Sequence, residues 1–253
     1  MNKLFLLFII VTAYSTNLYA KHKPHLLIYC GITMVKPITK IAKIIEKKYN
    51  CKIKITQGGS GDLYEALAFS KVGDLYLPGS VSYRKKHLKD GYLLDSQYIG
   101  FNQASIFVQK NNPKNIKSID DLSKENILVK LCDPKAGSIG KITKKILTTY
   151  KDEDFYYNIV DKSIDIGTDS RNLNKSIRNK EIDMTINWRA TGFFMQNKNL
   201  ITVIDIPESV SPKKDLVLNL LKFSKNKDIS RKFMKYAASE EGAKIMKQYG
   251  FLK

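Results

Sequence analysis

Short apolar runs alternate with segments of helical spacing in the first part of the chain. Leu26 to Cys30 is an apolar run, and after Gly31-Ile32-Thr33 apolar residues recur three or four positions apart from Val35 to Tyr49. This pattern predicts a strand, a turn and an amphipathic helix. The order then repeats, with strands predicted at Cys51–Ile55 and Gly73–Leu77 and helices from Leu63 and over Tyr83–Asp90, the latter closed by Gly91.

A second unit follows an extended run over Tyr98–Gln109 and a break at Asn111-Asn112-Pro113. Two adjacent tyrosines, Tyr156 and Tyr157, are possible ligands of a ferric ion. We place them in a strand, where neighbouring side chains point to opposite faces, so core or surface positions are favoured over a ferric-ion site. Because strands and helices alternate with short connections, the chain is predicted to have an α/β fold with mainly parallel sheets. Its predicted strands are Asn126–Leu131, Ile164–Gly167, Asp183–Asn187, Ile201–Ile206 and Leu216–Leu221, and its predicted helices are Lys141–Tyr150, a helix capped by Thr168–Arg171 that runs to Ile177, Ile229–Ala238 and Glu240–Tyr249.

The start of the chain has the pattern of a cleaved signal peptide. A short positive leader with Lys3 precedes an apolar stretch from Leu4 to Ala13, which is too short to span a bilayer, and Ala20 is a small residue suited to cleavage. The mature protein is therefore expected to begin at Lys21, which is not a cysteine, so no lipid anchor is predicted there. No later segment is apolar enough for a membrane span, and we expect an exported, periplasmic protein.

Composition allows two cores and argues against a nucleic-acid partner. With 253 residues, of which 43% are hydrophobic, the chain can build two units of roughly 100 residues each. The formal net charge is +19, but the lysines are scattered and are not interleaved with aromatic residues. Such a charge favours the steering of small anions, or reflects a lysine-rich bias in composition. We expect a monomer with no nucleic-acid partner.

Cysteines, histidines and catalytic motifs give little support for a metal site or an enzyme. Three cysteines leave at least one unpaired, so no disulfide framework is predicted, and the state of Cys51 stays open. Cys30 and Cys132 fall at the carboxyl ends of strands, where a thiol pair at a cleft is the minor alternative to buried, unreactive cysteines. The three histidines lack metal-ligand spacing, so no metal or cofactor is predicted. No nucleophile-elbow, Walker or zinc-protease motif occurs.

Two glycine-containing turns contain the candidate anion-binding residues. Gly58-Gly59-Ser60-Gly61 joins a strand to a helix, and such a turn points several backbone N–H groups at one spot that prefers an anion. Taken alone, the turn is more often a plain connection with Ser60 as the N-cap. A second turn at Gly31-Ile32-Thr33 repeats the arrangement, so two hydroxyl residues are predicted to cap two helices that each follow a strand. The repetition favours an anion site.

Five segments together resemble the periplasmic solute-binding proteins of ABC importers, and within them the molybdate-binding protein group. They are Gly31–Met34, Gly58–Leu63, Gly73–Ser80, Asp133–Gly137 and Ala238–Phe251. The resemblance covers essentially the whole chain after residue 20. It implies a two-lobed, type II-like binding fold, in which residues 21–100 and 207–253 build one lobe, residues 101–206 build the other, and extended hinge segments cross a cleft between them.

The resemblance also implies ligand-binding residues for a tetrahedral oxyanion, with molybdate or tungstate as the first candidates. Thr33 and Ser60 match serines of the two turns, Ala136 matches a backbone donor, and Ser170 matches a residue at a helix start. Trp188 falls where the family has a ligand-binding tyrosine, and its indole N–H is a donor only. Arg189 follows it and would favour phosphate, phosphonate or carboxylate if it entered the cleft, the alternative being that it faces solvent.

Two functions follow from these expectations. The first is substrate capture for an ABC importer, with a permease in the inner membrane as the partner. The second is an exported anion sensor whose closed form docks on a membrane receptor, since the same clamp serves both tasks. The identity of the anion and its affinity stay open.

Overall fold

The computed structural model describes residues 23–136 and 138–253. The predicted signal peptide, residues 1–20, lies outside the described residues. The strands are β1 His25–Gly31, β2 Lys52–Gly58, β3 Leu75–Leu77, β4 Leu93–Asn102, β5 Ala104–Gln109, β6 Leu131–Cys132, β7 Ile166–Gly167, β8 Met184–Trp188, β9 Ile201–Ile204 and β10 Lys214–Leu221. The α-helices are α1 Val35–Tyr49, α2 Ser60–Ser70, α3 Val81–His87, α4 Ser138–Tyr150, α5 Glu153–Lys162, α6 Ser170–Arg178, α7 Arg189–Gly192, α8 Lys227–Ala238 and α9 Glu240–Gln248, and 3-10 turns lie at Ile32–Met34, Leu88–Asp90 and Ile119–Ser123.

A five-stranded sheet with the order β2-β1-β3-β10-β4 forms the first half of the fold, which we call lobe 1. Strand β1 is parallel to β2 and β3, so the carboxyl ends of these three strands meet at one edge. Strand β10 pairs antiparallel with both β3 and β4, which brings the end of the chain back into this sheet. The helices α1, α8 and α9 pack together on the sheet, with apolar side chains such as Ile38, Phe233 and Met246 buried between them.

The second half of the fold, which we call lobe 2, has a separate core. Its three-stranded sheet has the order β8-β5-β9, and β6 and β7 form a short two-stranded sheet. Helices α4, α5 and α6 cover these strands, and their buried residues, among them Ile139, Ile146, Ile159 and Leu173, pack against Ile186 of β8. Each lobe therefore has its own main hydrophobic core, and the segments that join the lobes run between these cores.

Two segments connect the lobes. The first is the short link between β4 and β5, and the second runs from β9 to β10. The buried side chain of Gln103 in the first link donates its Nε2 hydrogens to the carbonyls of Ile206 and Ser211 in the second, at 2.8 and 2.7 Å. Because one side chain holds both crossings, they form a single joint between the lobes.

The predicted fold class is confirmed, with differences in lobe 2. The sheets are mixed, and the pairs of β5 with β8 and β9 are antiparallel where parallel pairing was expected. The predicted strand at Asn126–Leu131 is reduced to Leu131–Cys132, because the preceding residues make only one isolated bridge among the described strands, Val129 to Met184.

The placing of Tyr156 and Tyr157 in a strand was wrong. They lie in helix α5, which was not predicted, and Asp152 caps this helix by accepting from the Phe155 N–H at 2.7 Å. Phe155, Tyr156 and Ile159 are buried on one face of the helix. The adjacent aromatic residues obscured a helical pattern of three to four residues, which tertiary packing makes plain.

The three cysteines are free and buried. Cys30 belongs to the core of lobe 1 and Cys132 to the core of lobe 2, so the thiol pair considered from the sequence is wrong. Burial raises the pKa of the Cys30 thiol, and it raises the pKa of Cys132 to about 11. Neutral, buried thiols of this kind act as small apolar side chains. Within the described residues no helix is both long enough and apolar enough to cross a membrane.

Candidate functional site

Three strand ends of lobe 1 form one wall of a cleft. Gly31 at the end of β1 is in register with Gly58 at the end of β2, and Cys30 is in register with Leu77 at the end of β3. Parallel pairing therefore brings the turns that follow these strands to the same edge of the sheet. Glycine at the end of each strand, or just after it, keeps this edge free of bulky side chains.

Ser60 is held at this wall by both of its oxygen atoms. Its Oγ accepts a hydrogen bond from the backbone N–H of Gly79 at 2.9 Å, and its carbonyl accepts from the Tyr76 hydroxyl at 2.8 Å. A serine hydroxyl has one donor and two acceptor sites. Because Oγ acts as an acceptor towards Gly79, its own hydrogen is available to donate to a ligand.

The predicted hydroxyl caps are wrong. The N-cap of α2 is Gly59, the N-cap of α1 is Met34, and neither makes a side-chain capping bond. Ser60 is instead the first residue of α2, and Thr33 lies in the 3-10 turn before α1, where its Oγ1 donates to the Sδ of Met34 at 3.0 Å. Neither hydroxyl caps a helix, and both lie where the strands end. A ligand would compete with the weak thioether acceptor for the Thr33 hydrogen.

Helix α4 of lobe 2 forms the opposite wall. Ser138, Lys141, Ile142 and Lys145 recur three or four residues apart, so one face of the helix lies along the cleft. Trp188, at the end of β8, lies beside the start of this helix and donates its indole N–H to the Ser138 Oγ at 3.3 Å. This bond fixes the position of the indole ring in the cleft.

Between the two walls lies a cavity of about 690 Å³, which we call cavity one. It receives residues from both lobes and from the joint, and its size is that of a typical small-molecule site. Its described lining consists of Gly31, Ile32, Thr33, Gly58, Gly59, Ser60, Gly61, Asp62, Gly79, Ser80, Ser82, Tyr83, Asn102, Ala136, Ser138, Lys141, Ile142, Lys145, Trp188 and Lys214. Ala136 lies in this lining, but its N–H donates to the carbonyl of Asp133 at 3.2 Å, so the predicted backbone donor is already engaged in a turn.

Cavity one is electropositive. Among its described lining residues Lys141, Lys145 and Lys214 face a single acidic residue, Asp62. Burial, and then the nearby charge of Lys145, lower the pKa of Lys214 below its ordinary value. Helices α2 and α4 also begin at this cavity, and helix N-termini carry partial positive charge. All of these features favour an anion.

A second cavity of about 530 Å³, cavity two, adjoins the first and shares Ile32, Thr33, Ser138 and Trp188 with it. Ser170, the first residue of α6, lies here and not in cavity one. The capping of α6 comes from Asp169, whose carboxylate accepts from the N–H groups of Arg171 and Asn172. The structure thus brings Thr33 and Trp188 to both cavities, Ser60 and Ala136 to the first, and Ser170 to the second.

Arg189 lies away from both cavities, and its predicted place in the cleft is corrected. Its Nε donates to the Asp205 carboxylate at 2.7 Å, and its Nη1 donates to the Gly250 carbonyl at 2.8 Å. Its guanidinium also lies 4.7 Å from the Phe193 ring centre. The side chain is 15% exposed, so the alternative of a solvent-facing arginine is wrong as well. Arg189 therefore links lobe 2 to the C-terminal segment of lobe 1.

The three cleft lysines were missed by the sequence analysis. Lys141 and Lys145 follow the turn at Asp133–Gly137 and share one helix face, which was a usable signal. Lys214 comes from the distant return segment, and nothing local in the sequence points to its position. No cluster of candidate metal ligands occurs among the described residues.

Comparison with known proteins places the chain among binding proteins. Residues 26–252 match the family model described as bacterial extracellular solute-binding protein. A protein of Haemophilus influenzae, named as a binding protein, is 22% identical over 242 residues, which is 96% of each chain.

Solved structures of binding proteins share the fold, among them the following two. The substrate-binding domain of a molybdenum ABC transporter from Clostridium difficile has a TM-score of 0.79 at 19% identity, covering 91% of this chain and 99% of that one. PEB3 from Campylobacter jejuni, solved with L-phospholactate bound, has a TM-score of 0.70 at 19% identity, covering 90% of this chain and 99% of that one. At these identities the likeness establishes the two-lobed fold and not the ligand.

Proposed function

Because the chain belongs to the bacterial extracellular solute-binding protein family, we propose that it captures a small anion between its lobes for an ABC importer. The anion is held in cavity one and delivered to a permease in the inner membrane. The relatives named above are binding proteins, which favours capture over catalysis. A periplasmic location fits the family and the predicted signal peptide.

The observation that carries this proposal is the convergence of positive groups from both lobes on one cavity. The N-terminus of α2 with Ser60 comes from lobe 1, and the N-terminus of α4 with Lys141 and Lys145 comes from lobe 2. A ligand that bridges them gains contacts only when the lobes are close. Ligand binding therefore favours the closed form through this difference in contacts.

The expected affinity follows from the donor set. A hydrogen bond to a charged group contributes about 1.5–3 kcal/mol net, so four such bonds give a gross contribution of about 6–12 kcal/mol. Association costs several kcal/mol of lost translational and rotational freedom. With the lowest cost of association, about 4 kcal/mol, the upper end of this range leaves about 8 kcal/mol, which corresponds to a micromolar dissociation constant and allows both capture and release.

Two ligand classes fit the cleft, and the lysines favour the second. Molybdate or tungstate would use the hydroxyls of Thr33 and Ser60 with the helix N-termini, and the Clostridium difficile neighbour is described as part of a molybdenum transporter. A small phosphomonoester would also use Lys141, Lys145 and Lys214, and PEB3 was solved with a phosphorylated lactate. Since cavity one has the volume of an organic-ligand site, we favour the phosphomonoester.

Calorimetric titration of the mature protein with molybdate, tungstate, sulfate, inorganic phosphate, methyl phosphate and acetate tests the proposal. We expect methyl phosphate to bind at micromolar concentration and acetate to bind weakly or not at all. Trp188 is the one tryptophan in the sequence and lies at cavity one, so its fluorescence should change over the same concentration range. Tight binding of molybdate alone would assign the site to a metal oxyanion, and no response to any of these anions would overturn anion capture.

Uptake assays separate the importer from the sensor. Reconstitution with the permease and ATPase encoded nearest to this gene should give ATP-dependent uptake that requires this protein. Binding without uptake, together with a change in the activity of a membrane receptor, would instead support the sensor. N-terminal sequencing of the protein released from the periplasm should begin at Lys21.

A further inference from the structure

The lining of cavity two includes an apolar surface that a bare anion would not use. Five apolar side chains line it, from Ile32, Val35, Ile139, Trp188 and Phe194. Ile32 lines both cavities and is 50% exposed, although isoleucine is among the residue types most often buried. A ligand that covers this apolar surface removes it from water, and this burial stabilises the complex.

The charged groups of cavity two are already paired with protein groups. Asp169 caps α6 and accepts from the Arg171 guanidinium at 2.7 Å, and Arg178 donates from Nη1 to the Asn197 Oδ1 at 2.5 Å. Although burial opposes it, hydrogen bonds from Arg171 and the helix N–H groups lower the pKa of Asp169, so this carboxylate is charged and balances its partner. The basic side chains of cavity two, Lys36, Arg171 and Arg178, are thus each engaged by a protein group, so the apolar side chains are the part of this lining that a ligand would cover.

The far edge of cavity two is already bridged between the lobes. Lys36 of α1 donates its Nζ hydrogen to the Gln196 Oε1 at 3.3 Å, and its Nζ lies 4.8 Å above the Phe194 ring. Contacts from lobe 1 to lobe 2 thus enclose the cavity on this side. The shared residues Thr33 and Trp188 leave it continuous with cavity one on the other side.

We propose that cavity two is a subsite for an apolar organic portion of the ligand, whose anionic group lies in cavity one. The substrate class is a phosphomonoester that carries a ring or a short hydrocarbon next to its phosphate. This inference rests on the proposed function of cavity one. It adds a specificity that the hydroxyl turns and the lysines do not provide, because those groups recognise only the anion.

The test compares three probes by calorimetry: inorganic phosphate, methyl phosphate and phenyl phosphate. All three present the same anionic group, and only phenyl phosphate reaches into cavity two. We expect phenyl phosphate to bind at least tenfold more tightly than methyl phosphate. Equal affinities would overturn the second subsite and leave anion capture intact, whereas no binding of any probe would overturn the proposed function itself.

Single-residue variants test whether the phenyl group binds in cavity two. Phe194→Ala should reduce the affinity ratio between phenyl and methyl phosphate to less than threefold, and Ile32→Ser, at a half-exposed position, should reduce it as well. Met195→Ala is the matched control, because Met195 is the next residue and is 71% exposed outside the lining of both cavities. A ratio unchanged in both Phe194→Ala and Ile32→Ser would place the phenyl group elsewhere and overturn the inference.

Discussion

The two walls of the cleft are built in different ways. The wall from lobe 1 consists of strand ends and the first residues of a helix, and its key hydroxyl, Ser60, is fixed by Gly79 and Tyr76. The wall from lobe 2 consists of long side chains on one helix face, Lys141 and Lys145, with Trp188 beside them. One wall is a rigid backbone surface, and the other is a set of adjustable charges.

Under the proposed function, this difference gives the two lobes different tasks. The backbone wall would fix where the anion lies, because its donors cannot move without breaking the sheet edge. Lysine side chains have many rotamers and a strong charge, so they adapt to the size of the ligand and add attraction as the lobes close. Lys214, on β10 at the joint, adds charge from the side of lobe 1.

The largest loss of affinity is expected when the adjustable lysine charges are removed. The double variant Lys145→Gln, Lys214→Gln should weaken methyl phosphate binding by about a hundredfold or more, since each charged hydrogen bond contributes about 1.5–3 kcal/mol. The loss is reduced by relief of the repulsion between the two lysines in the free protein. Lys144→Gln is the control for the loss of one positive charge, because Lys144 contacts the Tyr157 hydroxyl on another face of α4. A loss of binding free energy in this control about half that of the double variant would mean that only the net charge matters.

A smaller effect is expected at the rigid wall. Ser60→Ala removes one donor and should weaken anion binding by about 1–3 kcal/mol, or roughly tenfold to a hundredfold. The same calorimetric titration measures it, with Ser70→Ala at the other end of α2 as the control. Unchanged affinity in Ser60→Ala would remove its hydroxyl from the site.

The pH dependence of binding tests the role of Lys214. A bound anion favours the charged form of this lysine, so its pKa is higher in the complex than in the free protein, where burial and Lys145 lower it. Affinity for methyl phosphate should therefore fall several-fold as the pH rises from about 7.5 towards the ordinary lysine pKa of about 10.4, a range in which the phosphate charge is constant. Lys214→Arg stays charged and should flatten the profile. A profile as steep as that of the unaltered protein would assign the titration to another group.

The smallest effect on binding is expected at Arg189. Because its guanidinium contacts Asp205 and Gly250 outside both cavities, Arg189→Gln should change methyl phosphate affinity by less than about threefold. It should lower the free energy of unfolding by about 1–2 kcal/mol, reduced from the value for a buried pair because Asp205 is 54% exposed. Denaturant unfolding measures this loss, and Arg189→Lys should recover part of it. A large loss of affinity with unchanged stability would return Arg189 to the cleft.

Much of the fold was predictable from local pattern. The alternation of apolar runs and helical spacing gave β1, α1, β2 and the closing helices α8 and α9, and the five motif segments pointed to the solute-binding family, which the family match confirms. Helix α5 was missed because its buried face begins with two adjacent aromatic residues. The antiparallel pairing in lobe 2 was missed because a strand's residues do not specify the direction of its neighbour.

For the candidate site, the sequence identified residues but not their partners. The positions of Thr33 and Ser60 followed from glycine turns after strands, which is local chemistry. Ser60 was expected to cap a helix, and only the parallel packing of β1, β2 and β3 shows that it accepts from Gly79 instead. Arg189 was expected near the cleft because it follows Trp188, but the direction of its side chain is set by Asp205 and Gly250, which are remote in sequence.

The sequence by itself determined the α/β class, the glycine turns and the excess of positive charge. The first two depend on residues that are close together in the chain, and the third depends on composition alone. Only the tertiary structure decided which charges line the cleft and how the cleft divides into two cavities. Lys145 and Lys214 are far apart in sequence and meet at one cavity because β10 returns to lobe 1 after lobe 2 is complete. Contacts of this range depend on the packing of both lobes, and no local pattern encodes them.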